Sequence, residues 1–442
     1  MKARLGALGG AVILAAAAST IAAYPAASQT LTIATVNNGD MIVMQKLSPQ
    51  FEKATGIKLN WVVLEENVLR QRVTTDIATK GGQFDVITIG AYETPIWGKL
   101  GWLTEVDDLG DDYDYADLIP QVKSGLSYDG KLFAVPFYAE SSFTMYRKDL
   151  FAKAGITMPE KPTYEQIAEY ADKLTDKASG TYGICLRGKP GWGENMAFLT
   201  TAANAFGGQW FDMKWEPQLT SQPWKDAIGW YLDVMKKDGP PGATANGFNE
   251  NQALFSTGKC AMWIDATSAA GRIYDPKQSQ VADKTDFTAS PITDKDPKAS
   301  GWAWAWALGI PNSTKQADAA KKFVKWATSK DYVKLVGETE GWVAAPPGTR
   351  QSTYSNENYI KAAPFAKAVL TAIQVTDPAH PTVGQVPYTG VQFVAIPEFQ
   401  AIGTTVGQDI AAALAGQDTA DQALEKANTA TERVMKKAGY PK

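Results

Sequence analysis

The alternation of strand-like and helix-like segments between residues 30 and 90 is the feature that most restricts the fold of this chain. The strand-like runs are TLTIATV (30–36), KLNWVVLE (58–65) and FDVITIG (84–90), and the helix-like runs between them are MIVMQKLSPQFEKATGI (41–57) and ENVLRQRVTTDIATKGG (66–82). Strand, helix, strand, helix, strand in this order predicts an α/β domain with a parallel sheet. Pro49 lies inside the first helical pattern, so we expect a kink or a break there.

The rest of the chain continues with strand-like and helix-like segments, without an internal repeat or a low-complexity linker. The length of 442 residues is enough for two or three ordinary domains. No composition shift marks a boundary near residue 140 or 300. We therefore expect the lobes of this protein to be joined by several strand-like crossings, because a single flexible linker would leave a more obvious shift.

The N-terminus has the three parts of a secretory signal peptide. Lys2 and Arg4 precede an uncharged, mainly apolar run (5–23), and small residues at 26–28 resemble a cleavage site. We predict that residues 1–28 are removed and that the mature protein is exported and soluble, in the periplasm. A retained membrane anchor is the alternative, but the run is rich in alanine and no later segment has the roughly 20 apolar residues that a spanning helix needs.

Charge, cysteine and histidine content exclude several classes of protein. The net charge is −4 and there is no long basic run, which gives no support to nucleic-acid or anionic-membrane binding. Cys185 and Cys260 are too few for a disulfide framework, and we expect two separate buried thiols in preference to one bridge. The single histidine, His380, lies in a proline-rich connector. The sequence therefore predicts no metal site and no cofactor.

Three tryptophans alternate with alanine in SGWAWAWALGIP (300–311). Period-two spacing sends Trp302, Trp304 and Trp306 to the same face of a strand. They can form hydrophobic core or a platform on which a ring-like or flat ligand stacks. The stretch on its own favours core, because aromatic residues in strands usually pack.

A series of landmarks in a fixed order resembles the extracellular solute-binding proteins of ABC importers, in the branch typified by maltose-binding protein. The landmarks are FEKATGIKLNWV, FDVITIGAYETPIWGKLGWLTEV, DGKLFAVPFYAESSFTMYRKDLFAKAGI, ENQALFSTGKCAMWIDATSAAG and ALGIPNSTKQADAAKKFVKWATS. They cover nearly the whole mature chain. Within this family, CLRGKPGWGENMAF and MWIDATSAAG look most like the sorbitol/mannitol (polyol) binding members.

The resemblance implies an α/β fold of the periplasmic binding protein type II. Two lobes with mainly parallel sheets would close on a ligand about a hinge of two or three chain crossings. The N-terminal lobe would comprise residues 29–138 plus about 300–342, and the C-terminal lobe residues 139–299 plus about 343–442. Such proteins are typically not enzymes, and we expect a monomer that delivers its ligand to an ABC permease.

In such a fold, ligands lie where loops leave the carboxyl ends of strands. The loop after the first strand offers Asn37, Asn38 and Asp40, whose amides suit neighbouring hydroxyl groups, although a turn and helix cap would use the same residues. The loop after FDVITIG offers Tyr92 and Glu93. By family position this loop resembles one that meets the sugar, and the alternative for Glu93 is a solvated loop charge or a helix-dipole partner.

The crossing PFYAESSF contains Tyr138 and Glu140. A buried carboxylate at 140 would need a hydrogen-bonding partner, and the resemblance also implies an acidic ligand contact here. The alternative is an exposed hinge charge. In the glycine-rich loop that follows the strand TYGICLRG, Arg187 could donate to adjacent hydroxyls or neutralise Glu140 or Asp265. Trp192 could form a stacking plate or pack between loops.

The remaining candidates follow later strands. Asp265 and Thr267 come directly after the strand of MWIDATSAAG, where helix capping is the alternative role. By position in the family, Trp302 and Trp304 would face the cleft. We expect Trp306 to belong to the core, since three tryptophans are unlikely to touch one small molecule. Trp342 lies at a predicted third crossing and is a weaker candidate.

These features favour a periplasmic binding protein for a linear polyol such as sorbitol, mannitol or arabitol. A binding protein of the same fold for a mono- or disaccharide is the nearest alternative. A secreted carbohydrate-active enzyme is a more distant one, and it would need two carboxylates flanking the bond to be cut, for which Glu140 and Asp265 could be mistaken.

Overall fold

The computed structural model describes Met1 and residues 29–296, 298 and 300–440. Apart from Met1, the predicted signal peptide (1–28) lies outside the described residues. Among the residues that are described, no helix is long and apolar enough to cross a membrane.

The strands of the described chain form two main sheets and a small hairpin. In chain order they are β1 (Thr30–Val36), β2 (Lys58–Leu64), β3 (Val86–Gly90), β4 (Ser127–Tyr128), β5 (Lys131–Leu132), β6 (Ala134–Glu140), β7 (Ser142–Arg147), β8 (Tyr182–Cys185), β9 (Cys260–Ala266), β10 (Thr285–Ala289) and β11 (Trp304–Gly309).

Helices cover the sheets and form most of the chain after residue 310. They are α1 (Gly39–Leu47), α2 (Pro49–Thr55), α3 (Glu66–Thr79), α4 (Glu93–Lys99), α5 (Pro120–Gly125), α6 (Lys148–Ala154), α7 (Tyr164–Leu174), α8 (Asn195–Ala205), α9 (Gln222–Asp238), α10 (Phe248–Ser256), α11 (Ala270–Ile273), α12 (Ala317–Thr328), α13 (Lys330–Thr339), α14 (Gln351–Ser355), α15 (Glu357–Ala362), α16 (Ala366–Val375), α17 (Phe399–Leu414) and α18 (Ala420–Lys437).

The first sheet has the strand order β2-β1-β3-β11-β6. β1 pairs in parallel with β2 and β3, as the strand–helix alternation predicts. β11 returns from late in the chain and pairs antiparallel with both of its neighbours. Pro49 begins α2 directly after α1 ends, so the predicted interruption is a break between two helices.

The second sheet has the order β10-β7-β9-β8, and only β8 and β9 run parallel. The expectation of two α/β lobes is confirmed, but the sheets are more mixed than the mainly parallel ones predicted. The strands next to the crossings are the ones that pair antiparallel. A chain that passes straight from one sheet into the other has no helix that would bring it back to start the next strand in the same direction.

The chain passes between the two sheets three times within the described residues. β6 leads into β7 through Ser141, and the segment from 290 to 303 leads back from β10 to β11. A third passage lies between Arg350 and α17. The Arg350 guanidinium donates to the carbonyls of Tyr113 and Thr328 on the first lobe. α17 packs on α8 and α9 of the second lobe. These contacts keep the chain with the first lobe a few residues beyond the predicted boundary near 343.

Cys185 and Cys260 form a disulfide between neighbouring strands β8 and β9, with their Cα atoms 5.9 Å apart. The prediction of two separate thiols is therefore wrong. The two cysteines are 75 residues apart in sequence, and only the pairing of β8 with β9 brings them together.

Candidate functional site

A cavity of about 420 Å³ lies between the two sheets, at the ends of the strands that lead into the crossings. The side chains and backbone that line it come from both lobes: Asn38, Glu66, Arg70, Tyr138, Glu140, Arg187, Trp192, Gly193, Ala197, Phe248, Ala266, Trp302, Trp304, Trp306 and Gln392.

Four indole rings form the apolar walls of the cavity. The rings of Trp304 and Trp306 are 5.5 Å apart and nearly perpendicular, and Trp192 meets Trp304 edge-on at 5.8 Å. Trp306 belongs to the core, as predicted, and the same buried side chain also lines the cavity, which was not predicted. Gly90 explains the arrangement: a Cβ atom there would lie 2.0 Å from the Trp304 ring, so its absence makes room for the indole.

Two of the indole N–H groups have no partner. Nε1 of Trp192 and Nε1 of Trp302 are buried and make no hydrogen bond within the protein. Buried donors in folded proteins are nearly always paired, so unpaired donors at a cavity suit a ligand with hydrogen-bond acceptors.

Arg70, on the first turns of α3, is held by two carboxylates. Its Nη1 donates to Glu93 Oε1 at 2.6 Å, and its Nη2 and Nε donate to Glu66 Oε1 at 2.8 and 3.0 Å. The guanidinium also lies against three indole rings, 4.0 Å from the centre of Trp192, 4.8 Å from Trp306 and 5.0 Å from Trp304. These contacts satisfy a buried cation and fix the aromatic walls relative to α3.

Arg187, from the second lobe, is held in the same way by Asp265. Its Nη2 donates to Oδ1 at 2.6 Å and its Nε to Oδ2 at 2.9 Å, while Nη1 donates to the carbonyl of Gly193 at 2.8 Å. Asp265 also accepts from Trp263 Nε1 and from the Ala266 amide. Its oxygens are thus fully used within the protein, and Arg187 is the member of the pair that reaches the cavity.

Glu140 ends β6 and lines the cavity beside the hinge. Its Oε2 accepts from Ser268 Oγ at 2.5 Å. Burial raises the pKa of Glu140 to about 8, although the Ser268 hydroxyl and the Arg187 charge oppose this shift. A protonated carboxyl at neutral pH can both donate to and accept from a hydroxyl group.

Neutral polar groups complete the lining. Asn38 Nδ2 donates to the Tyr138 hydroxyl at 2.9 Å, and this pair spans the ends of β1 and β6. Gln392 exchanges two hydrogen bonds with the backbone of Ala303, at 2.9 and 3.3 Å, and so supports the tryptophan segment.

The structure thus places eight of the predicted site residues around one cavity. They are Asn38, Tyr138, Glu140, Arg187, Trp192, Trp302 and Trp304 on its lining, with Asp265 directly behind Arg187.

Tyr92 and Glu93 support the lining from behind. The Tyr92 hydroxyl donates to the Ile396 carbonyl at 3.0 Å, and its ring packs 4.7 Å from Trp192. Glu93 binds Arg70 and the Gly90 amide instead of a ligand hydroxyl. Neither of the alternatives considered for Glu93, a solvated charge or a dipole partner alone, describes this buried carboxylate.

Four predicted residues lie away from the cavity. Asn37 is exposed, and Asp40 and Thr267 line a neighbouring cavity of about 860 Å³. Thr267 exchanges hydrogen bonds with the backbone of Ser141 at the first crossing. Trp342 packs over Gly337, where an added Cβ would lie 2.5 Å from the indole.

Several lining residues were not predicted, chiefly Glu66, Arg70, Gly193, Phe248 and Gln392. A signal existed for the first two. Glu66 follows the carboxyl end of β2, where the strand-end rule applies, and Arg70 lies four residues on, hence on the same helix face. Gln392 follows no strand and carried no signal.

No cluster of three or more histidine, cysteine or acidic side chains among the described residues could hold a metal ion. His380 is exposed and its Nδ1 lies 2.7 Å from Asp377 Oδ2.

Residues 38–334 match the family of bacterial extracellular solute-binding proteins. This chain belongs to that family. The matched region contains every strand of the two main sheets except β1, and all but one of the lining residues, Gln392.

Individual relatives of this solute-binding protein extend the match to the whole chain. It is 56% identical over 432 residues to the mannitol-binding protein of Pseudomonas aeruginosa, covering 97% of this chain and 98% of the relative. A solved ABC transporter solute-binding protein from Agrobacterium vitis with bound D-mannitol is 63% identical, with a TM-score of 0.93 over 94% of this chain and all of that one. Another, from Agrobacterium radiobacter in complex with ribitol, is 26% identical, with a TM-score of 0.83 over 93% of this chain and all of that one.

These likenesses confirm the predicted family and fold of the binding protein.

Proposed function

We propose that this protein captures a linear polyol, mannitol or sorbitol in the first place, between its two lobes and delivers it to the permease of an ABC importer. The protein acts by binding alone. Export by the predicted signal peptide would place it in the periplasm, where a monomer meets the permease.

The observation that carries this proposal is the composition of the cavity. Four indole rings enclose a space of about 420 Å³, and polar groups from both lobes face into it. The carbon–hydrogen faces of an extended polyol pack well on indole, while its hydroxyls can accept from the unpaired Nε1 atoms of Trp192 and Trp302.

The relatives support the same ligand class. The Pseudomonas protein is a mannitol-binding protein, and the Agrobacterium structures hold D-mannitol and ribitol. At 63% identity with near-complete coverage, we expect the polar groups that meet mannitol to have counterparts in this chain.

The geometry gives no support to glycoside hydrolysis by Glu140 and Asp265. Such an enzyme needs one carboxyl group as acid and a second with a free oxygen facing the substrate. Both oxygens of Asp265 accept from Arg187, and the side chain does not reach the cavity.

The test is titration calorimetry on protein that has been unfolded and refolded to remove co-purified ligand. Mannitol, sorbitol and arabitol are injected, with maltose and glucose as comparisons. We expect saturable binding to a linear polyol and none to the cyclic sugars. Binding to a cyclic sugar alone would show that the ligand is a sugar and not a linear polyol. Turnover of chromogenic glycosides would show that the protein is an enzyme and would contradict its proposed role as a binding protein.

A further inference from the structure

Gly193 lines the cavity at a point where the two lobes approach each other closely. It belongs to the second-lobe loop that carries Arg187 and Trp192, and its carbonyl accepts from Arg187 Nη1. A Cβ atom added at Gly193 would lie 2.3 Å from Glu66 Oε1 and 2.9 Å from Arg70 Nη2, both on α3 of the first lobe. At a separation under 3.0 Å something must shift, either the ends of these two side chains or one of the lobes.

The atoms on the first lobe are not free to retreat. Glu66 Oε1 accepts two hydrogen bonds from Arg70, and Arg70 is itself bonded to Glu93. The guanidinium is further enclosed by the rings of Trp192, Trp304 and Trp306. On the other side, Arg187 and Asp265 hold the loop.

The backbone of Gly193 does not itself require glycine. Its φ angle is not positive, unlike those of Gly180 and Gly207 in the same lobe, so an alanine there adopts the same backbone without strain. The steric requirement at this position therefore arises only between the lobes, and only when they are closed.

We propose that Gly193 determines whether the lobes can close: the missing side chain is what lets the glycine-rich loop meet α3 and seal the cavity. This inference rests on the proposed function in one respect, that the ligand is held in the closed form. Any side chain at 193 would select the open form and weaken binding while the separate lobes stay folded.

Gly39 makes a similar but softer approach on the other side of the cleft. A Cβ there would lie 2.8 Å from Cδ of Arg272 on α11, across the lobes. Arg272 is only half-buried, and its Nε donates to Gln278 Oε1 at an exposed position. We therefore expect an alanine at 39 to hinder closure less than one at 193.

The test compares Gly193→Ala with Gly229→Ala, a matched control on α9 of the same lobe. An added Cβ at Gly229 meets no heavy atom within 4 Å. Closure is measured without reference to any ligand, by zero-length carbodiimide cross-linking of Glu65 to Lys189. Their Oε1 and Nζ atoms lie 2.6 Å apart across the lobes. Mannitol affinity is measured separately by calorimetry.

We expect Gly193→Ala to lose the cross-link and to bind mannitol about 10- to 100-fold more weakly, the range that an overpacked contact produces. Gly229→Ala should match the wild type in both. Adding Glu66→Ala to Gly193→Ala removes the atom at 2.3 Å and the carboxylate that holds Nε and Nη2 of Arg70, so that Nη2, at 2.9 Å, can shift; the double variant should regain the cross-link. If Gly193→Ala does not fold, Gly39→Ala takes its place. It should give less Glu65–Lys189 cross-link than the wild type.

A Gly193→Ala protein that cross-links like the wild type overturns the proposal, and so does a wild type that gives no Glu65–Lys189 cross-link. A wild type that cross-links but binds no polyol contradicts the proposed function alone. In that case the loss of the cross-link in Gly193→Ala still supports the role of Gly193.

Discussion

Arg70 is central to the site although its charge is neutralised within the protein. Two carboxylates neutralise it, and its guanidinium lies against three indoles. The neighbours that belong to the first lobe, Glu66, Glu93, Trp304 and Trp306, are thereby held in one orientation before a ligand arrives. Such preorganisation improves affinity because less conformational freedom is lost on binding.

Trp192 joins this cluster to the second lobe, and Trp192→Ala should weaken mannitol binding by about 10- to 100-fold. The change removes an aromatic wall that buries apolar ligand surface, worth about 1.5–3 kcal/mol. Calorimetry gives the affinity, and thermal unfolding checks that the protein remains folded.

The comparison for this prediction is Trp342→Ala. That indole packs over Gly337 and does not line the cavity, so the affinity should stay within about twofold of the wild type. A large loss at Trp342 together with no loss at Trp192 would move the ligand away from the cavity described above.

Glu140 makes stability depend on pH. Burial raises its pKa from 4.5 to about 8, so the folded protein binds this proton more tightly than the unfolded chain. The free energy of unfolding should therefore be highest below about pH 5 for this group and fall as the pH rises to about 8. Because one pKa unit corresponds to about 1.4 kcal/mol, the fall should amount to a few kcal/mol.

Urea unfolding at intervals from pH 5 to 9 measures this dependence in the wild type and in Glu140→Gln. The amide cannot ionise, so the variant should gain stability relative to the wild type as the pH rises. Burial also raises the pKa of Glu194 to about 8, so the free energy of unfolding of both proteins should still change with pH. Parallel curves for the two proteins would show that Glu140 does not titrate in this range.

At the scale of the elements, the disulfide links the two strands that carry Arg187 and Asp265 at their ends. Cys185 ends β8 and Cys260 begins β9. Replacing both by serine removes a cross-link that closes a loop of 75 residues, and the free energy of unfolding should drop by about 4 kcal/mol. Urea unfolding of the double variant, and of the wild type with and without reductant, measures the effect.

The double serine variant should respond no further to reductant, which is the internal control. An equal urea midpoint for wild type and variant under oxidising conditions would indicate that the bridge does not constrain the unfolded chain.

The strands of the first sheet and the break at Pro49 could be predicted because each depends on a local pattern. Strand ends likewise led to Asn38, Tyr138, Glu140 and Arg187. Pairings between distant segments could not be predicted in this way. The partners of Arg70 come from two different segments, and the cysteines meet only once β8 and β9 are neighbours. The same limit applied to Trp306, which lines the cavity only because β11 pairs with the distant strands β3 and β6.

At the scale of the whole molecule, polar contacts outside the cavity also join the lobes. Lys189 Nζ lies 2.6 Å from Glu65 Oε1, and Asn67 Nδ2 donates to the Pro190 carbonyl at 3.2 Å. Lys189→Ala should raise the dissociation rate of mannitol by no more than about fivefold, because partly exposed ion pairs contribute about 0.2–1 kcal/mol.

Stopped-flow tryptophan fluorescence measures that rate. Lys131→Ala is the control, because Lys131 pairs with Glu105 within the first lobe and should leave the rate unchanged. Equal dissociation rates for the wild type, Lys189→Ala and Lys131→Ala would show that the Lys189–Glu65 ion pair does not slow ligand release.

The position of β11 has a consequence for how the protein is made. This strand, residues 304–309, lies between β3 and β6 in the first sheet, so it fills the gap between two strands that leave the ribosome much earlier. The N-terminal half of the newly made chain therefore cannot complete its hydrogen-bond ladder during synthesis. It stays without the strand between β3 and β6 until residue 309 of 442 has emerged, and a chain held back in this way exposes unpaired strand edges for longer.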